Sequence, residues 1–310
     1  MLRFSPILAP NIIDYLKTIK KKDKKYLILF KKKELCLKIS TEYENIRIFA
    51  FHFHKTIMNN FRSGFGAALP PVTLNIIIIN VILWLAQVVF LRQGISLAEL
   101  FGLHYVASEG FRIYQLVTYM FLHDSGSFMH VFSNMFAVFM FGRTLEHVWG
   151  SKRFLSFYLI TGIGAGLVQL VVAFLRIQSV KSGMSVEAIE EVYSQGYQLL
   201  QQNMNYIDSA QGSLNIALNA VTVGASGAVF GILLAFGMLF PNAELFIIPF
   251  PFPIKAKWFV LGYGVFELIF GISNFSWDNV AHFAHLGGML FGIFMILYWR
   301  KKDRVHGHYY

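Results

Sequence analysis

The sequence predicts an all-α polytopic membrane protein, a bundle of six transmembrane helices. Three observations predict it. The chain is 55% hydrophobic and only 14% charged, far from the balance of a soluble globular domain. Its apolar residues are gathered into runs that reach the roughly 20 residues a helix needs to cross a bilayer. The basic residues between those runs fall mostly on alternate connections, as the positive-inside rule requires.

The elements follow in order. Residues 1–57 form a basic extension with 13 Lys/Arg against 5 Asp/Glu, whereas the remainder has 14 against 12. The net charge of +10 therefore belongs mostly to this segment, and a nucleic-acid footprint spread over a fold is excluded. Its runs "KTIKKKDKK" and "LFKKKELCLK" alternate with short pieces rich in Ile, Phe and Tyr. Two readings stand: an extension that touches anionic lipid, or translated AT-rich spacer ahead of a start at Met58. A single cysteine, Cys36, excludes an internal disulfide and a multi-cysteine metal site. No apolar stretch with a small-residue cleavage site follows the basic N-terminus, so the first span is expected to act as its own insertion signal.

Residues 58–71 read as a cytoplasmic leader, residues 72–300 as the membrane domain and residues 301–310 as a cytoplasmic tail. The spans are expected at 72–91, just after Pro70-Pro71, then at 128–148, 154–175, 222–240, 256–273 and 280–299. The fourth and fifth are short and are expected to stand buried among the others. Between spans one and two, some 36 residues are amphipathic rather than spanning. Between spans three and four, "SVEAIEEVYSQGYQLLQQN" reads as a surface helix N-capped by Ser185, with Glu187, Glu190 and Glu191 favouring its first turn. With residue 62 inside, ten basic residues (Arg62, Arg143, Lys152, Arg153, Lys255, Lys257, Arg300, Lys301, Lys302 and Arg304) fall inside and four (Arg92, Arg112, Arg176 and Lys181) outside. Both termini are then cytoplasmic and the long loops face outward. The expected location is the inner (plasma) membrane of a bacterial cell.

Several polar residues sit where an apolar helix has no use for them. In "VTVGASGAVFG", Ser226 stands between glycines at a helix start. Span four enters from outside near Asn219, so at about 1.5 Å per helical residue Ser226 lies roughly 10 Å down. Span six enters from outside near Asn279, so His285 lies roughly 9 Å down. Gly227 and Gly231, and likewise Gly288 and Gly292, are spaced GxxxG, which lets helix backbones approach closely. Close approach is what a Ser–His hydrogen bond across two helices requires. On span two, His130 and Asn134 in "MHVFSNMF" are four apart and share a face. Both can donate to a developing oxyanion. Gly224 is expected to let an irregular loop meet the helix start, and Gly227 to keep the approach to the serine open. His282 is one turn above His285, at the wet upper end of its helix, placed to hold the outer loop or a neighbouring group. Glu267 is placed nearer mid-membrane, with no acidic residue assigned to the histidines.

These residues resemble the rhomboid family of intramembrane serine proteases over about residues 72–300. The resemblance rests on "HVFSN", "GASG", "AHFAHLGGMLFG" and "GRTLEHVWG". It implies Ser226 as nucleophile and His285 as general base, a dyad without a carboxylate, with His130 and Asn134 joining the Ser226 N–H in an oxyanion hole. It also links Gln169, in "GLVQ", to water supply. The chain departs from the family's Trp-Arg pair in the first outer loop: Arg112 lies earlier and Gln115 stands nearer the arginine position. The implied activity is endopeptidase cleavage in or near the transmembrane segments of other membrane proteins. Those proteins and the lipid bilayer are the expected partners, with no nucleic acid, cofactor or metal. Two other classes compete: a catalytically inactive relative that binds membrane clients, and a metal-dependent enzyme or transporter using His123, His130, His282 and His285. The substrate's identity, the oligomeric state and the purpose of the long loop before span four are not legible in the sequence.

Overall fold

The computed structural model describes residues 69–246, 252–273 and 281–305; the readings of residues 1–68 lie outside them. Helix α1 (Pro71–Leu91) begins directly after Pro70, and Pro71 occupies its first position, where a missing N–H costs nothing. Its buried residues Thr73, Ile76, Asn80 and Gln87 point into the bundle. Leu74, Ile78, Ile82, Leu85 and Val89 are exposed. That polarity is inverted relative to a soluble protein, because lipid accepts the apolar side.

The connection after α1 carries two short helices, α2 (Leu97–Phe101) and α3 (Gln115–Thr118), and a 3₁₀ turn over Tyr119–Phe121. Helix α4 (Phe128–Ala137) passes through a π-helical segment (Val138–Gly142) into α5 (Arg143–Trp149). Helix α6 (Ser151–Lys181) is 31 residues long and outruns the expected span at its C-terminal end. Helices α7 (Val186–Gln201) and α8 (Ser209–Asn219) then pack on a small core of Ile177, Val192, Leu214 and Leu218. Ser185 caps α7, its Oγ accepting from the Ala188 N–H. Hydrogen bonds from its own backbone N–H and from Ser185 hold the Glu187 carboxyl below its ordinary value. The sequence reading has no counterpart to α8, which Asp208 caps by accepting from the N–H groups of Ala210 and Gln211.

Helix α9 (Ser226–Leu239) follows, then a two-residue antiparallel pairing of β1 (Glu244–Leu245) with β2 (Ile254–Lys255). Helices α10 (Ala256–Ser273) and α11 (His282–Val305) complete the described chain. Among the described residues, α1, α6, α10 and α11 are long and apolar enough to cross a membrane. Helix α9, at 14 residues, starts four residues later than expected and is shorter than a full span. It is buried along most of its length, as its shortness led one to expect. Helix α10 is not: Trp258, Leu261, Val265, Phe266, Ile269 and Ile272 are exposed. Its shortness does not bury it, because its outward residues are apolar enough for lipid. The last helix also continues into the expected tail, ending at Val305.

Helices α9 and α11 meet along their glycines. A Cβ on Gly288 would overlap the Gly227 carbonyl, and one on Gly292 would lie 3.6 Å from the Gly231 Cα. Both helices also lie against α6, where Gly164 receives the ring of Phe291 and Gly231 faces Thr161.

Candidate active site

The segment before α9 is held from outside its own helix. Leu103 and Thr222 exchange backbone hydrogen bonds at 2.9 Å each, and the Gly224 N–H donates to the Tyr119 carbonyl at 3.0 Å. The Tyr119 hydroxyl in turn donates to the Gly162 carbonyl at 2.6 Å. The first connection is therefore a platform that fixes where α9 begins. Gln115 organises it: its side chain is buried, accepts from the Arg112 N–H at 3.0 Å and donates to the Gly110 carbonyl at 2.9 Å. The residue that stands nearer the family's arginine position thus anchors the loop by amide hydrogen bonds.

Gly224 takes a φ of 138°, a conformation L side chains rarely adopt. A Cβ there would sit 3.4 Å from both His130 Nε2 and Ser226 Oγ. His130 and Ser226 therefore face the same small space, and Gly224 keeps it clear. Gly227 acts differently from the expectation that it keeps the serine accessible. It is buried, and a Cβ on it would collide with Ala165 and press on the Ala284 carbonyl at 3.4 Å. Its use is close packing. Ser226 is the first residue of α9, where the leading N–H groups have no intrahelical acceptor.

Across the glycine seam, His285 Nε2 lies 2.8 Å from Ser226 Oγ. The imidazole stacks on Phe230, with centroids 4.1 Å apart and planes within 5°. Phe230 stacks in turn on Tyr263 of α10. The other ring nitrogen, His285 Nδ1, lies 2.8 Å from Glu267 Oε2. His282 Nδ1 lies 2.6 Å from the same oxygen. Glu267 is 3% exposed, His282 and His285 7% each. Two expectations are corrected here. An acidic residue does partner the histidines, and His282 is buried rather than wet. Glu267 is six residues below the end of α10, roughly 9 Å down rather than at mid-membrane, and its Oε2 meets His285 directly. An acid within an apolar helix was the signal that could have found it.

His130 is half-buried, and its Nδ1 accepts from the Asp124 N–H at 3.3 Å, which leaves Nε2 to carry the ring proton in the neutral form. Asn134 is buried and donates to the His130 carbonyl at 2.9 Å. His123 packs edge-on against His130 with centroids 5.1 Å apart. It lies in the connection ahead of α4, and its ring nitrogens have no partner among the described residues. Burial, with His130 alongside, pushes its imidazole down to about 3, so it is neutral. Gln169 is half-buried on α6 and is not hydrogen-bonded to Ser226 or His285 among the described residues.

The four histidines considered as a metal set do not come together as one. The donors that do converge, within 4.8 Å of one another, belong to Glu267, His282 and His285. Their 2.6 and 2.8 Å separations are those of hydrogen bonds, and His285 turns its other nitrogen to Ser226. The cluster is accounted for without an ion.

Fold and site thus define a polytopic membrane protein in which a buried histidine meets a half-buried serine where two helices pack together. The Rhomboid domain family model matches residues 110–302, and the chain belongs to that family, which includes intramembrane serine proteases. It is 28% identical to Rhomboid-like protein 11, chloroplastic, of Arabidopsis thaliana, over 71% of this chain and 62% of that one. It is 27% identical to Rhomboid protein 1, mitochondrial, of Saccharomyces cerevisiae, over 54% and 36%. With the Rhomboid protease AarA of Providencia stuartii it shares 26% identity over 76% and 74%. The chain thus spans less than two thirds of the chloroplast and yeast relatives.

Proposed function

We propose that the protein is an intramembrane serine endopeptidase, hydrolysing peptide bonds in or near transmembrane segments of other membrane proteins. The observation that carries this reading is the 2.8 Å approach of His285 Nε2 to Ser226 Oγ. Ser226 Oγ attacks the scissile carbonyl carbon while His285 Nε2 takes its proton. The same proton passes to the leaving amine, and water then cleaves the acyl-enzyme by the reverse order of transfers. Oxyanion donors are the Ser226 N–H, the His130 Nε2–H and the second Asn134 amide hydrogen. The shared space at Gly224 supports the His130 assignment. Gln169 would supply water from α6.

In the same reading, α4 with α5 and the short α9 complete six spans, and both termini lie on the basic side. Three relatives are named for chloroplasts or mitochondria. Those names lend the bacterial inner membrane no support, and the proposal is limited to an integral membrane protein. The test is cleavage of a generic transmembrane substrate by the purified protein. Wild type should cleave, and Ser226→Ala should abolish cleavage while remaining folded. Cleavage retained by a clean Ser226→Ala preparation would sink the assignment. A folded but inert wild type would favour the client-binding relative.

A further inference from the structure

Glu267 is costly where it stands. Helix α10 faces outward with apolar side chains on most of its length, and an ionised group in such a helix needs partners. Its partners are two imidazole nitrogens, both on Oε2. An ionised carboxylate can only accept. The proton on each histidine facing it is therefore on Nδ1. For neutral His285 this leaves the lone pair on Nε2, directed at the Ser226 hydroxyl. We infer that Glu267 is a positioning residue for the reaction, the third member of a Ser226–His285–Glu267 relay in which His282 steadies the carboxylate.

The inference rests on the protease reading above. Two contacts fix the His285 ring: the Phe230 stack sets its plane, and Glu267 sets its rotation within that plane. When Ser226 gives its proton to Nε2, the ring becomes a cation in a site walled by apolar side chains. Glu267, at 2.8 Å, is the countercharge nearest to it among the described residues. The carboxylate keeps its charge throughout, and the proton moves only between Oγ, Nε2 and the leaving amine. His282 contributes a second N–H to Oε2, so the carboxylate cannot turn without breaking two hydrogen bonds. A simple interhelical tie between α10 and α11 would not need its acceptor to meet the histidine that faces the serine.

The test compares wild type, Glu267→Gln and Glu267→Asp as full-length purified protein. The readouts are kcat and KM on a transmembrane substrate, fluorophosphonate labelling of Ser226, and the thermal unfolding midpoint. Glutamine keeps the shape and loses the charge; aspartate keeps the charge and loses reach. The expected result is a fall in kcat on the order of 10²-fold for Gln with KM within about twofold, and partial retention by Asp. A Gln variant that folds and keeps kcat within about twofold of wild type overturns the inference. If Gln loses its unfolding transition, Asp decides alone: a roughly tenfold lower kcat at unchanged KM and Tm supports the relay, and wild-type kcat overturns it. A wild type that neither cleaves nor labels overturns the protease reading and the relay with it. A labelled wild type with an equally active Gln variant overturns the relay alone.

Discussion

Two glutamates are buried in the described bundle, and they are used in opposite ways. Glu146, on α5, accepts from the N–H groups of Val72 and Thr73, the Thr73 hydroxyl and the Ser151 hydroxyl, at 2.7–3.0 Å. Both its oxygens are filled, and its donors are backbone amides and hydroxyls. The carboxylate sits at the N-terminus of α1, where orphan N–H groups and the helix dipole favour an anion. It ties α1, α5 and the start of α6 into one end of the bundle. Glu267 has a single oxygen shared by two imidazoles, one of which faces a serine hydroxyl. A carboxylate surrounded by inert donors is a fastener. One whose donors can themselves change protonation state is placed to take part in chemistry.

The two carboxylates are told apart most directly at the histidine. His285→Ala removes the group through which Glu267 can reach Ser226. It should lower fluorophosphonate labelling of Ser226 by on the order of 10³-fold or more, with the protein still folded. Labelling near the wild-type rate would leave Glu267 as a second fastener. The opposite behaviour is expected at the other end. Glu146→Ala strands several donors at the start of α1 and should destabilise the protein by about 2–4 kcal/mol. Its labelling rate per folded molecule should match wild type. A lower unfolding midpoint with an intact rate marks Glu146 as a fastener; a lost rate at an unchanged midpoint would give it a part in the chemistry.

A smaller effect is expected from Asn134→Ala. A lone oxyanion donor in other enzymes is worth roughly 10²–10³ in rate. Here His130 and the Ser226 N–H share the task, so kcat should fall about tenfold with KM little changed. The Asn134 amide also donates to the His130 carbonyl, one turn earlier on α4. If kcat is unchanged and only the unfolding midpoint moves, that bond is its whole use.

Much of this arrangement is legible in the sequence, and the exceptions share a cause. Long apolar runs mark α1, α6, α10 and α11 because lipid imposes a length. The pairing of Ser226 with His285 follows from two equal depths and two glycine spacings, all local to their helices. Glu267 is the exception: the sequence reading sets it nearer mid-membrane, and a count from the outer end of α10 is what would have brought it toward His285. What a helix faces is harder to read. Lipid and a protein interior select the same side chains, so α10 and α9 look alike in sequence although one is exposed and the other buried. The Leu103–Thr222 bridge and the bond from Gly224 to the Tyr119 carbonyl are backbone pairings across many residues, and side-chain identity does not encode them. Gly227 shows a related limit: small residues beside a reactive serine suggest access, and only the facing Ala165 and Gly288 show that packing requires them.

The smallest effect concerns His282. It and His285 are three residues apart on α11, point within about 60° of one another, and meet the same carboxylate oxygen. Orientation therefore does not separate them, but the second nitrogen does: His285 Nε2 reaches Ser226 Oγ, and no hydrogen bond from His282 to that serine occurs among the described residues. His282→Ala removes one of the two donors that hold Glu267 Oε2 and leaves the other in place. The carboxylate can still orient His285, with more freedom to turn. Fluorophosphonate labelling should fall severalfold, well short of the loss in His285→Ala, and less than in Glu267→Gln. This order follows from the number of links each change breaks between the carboxylate and the serine. If His282→Ala abolishes labelling and His285→Ala only reduces it, the base is one turn higher, and Glu267 belongs to His282. If His282→Ala labels at the wild-type rate while Glu267→Gln is slow, one imidazole suffices to hold the carboxylate, and His282 serves to fill the space beneath Phe270, whose ring lies 5.8 Å from its own.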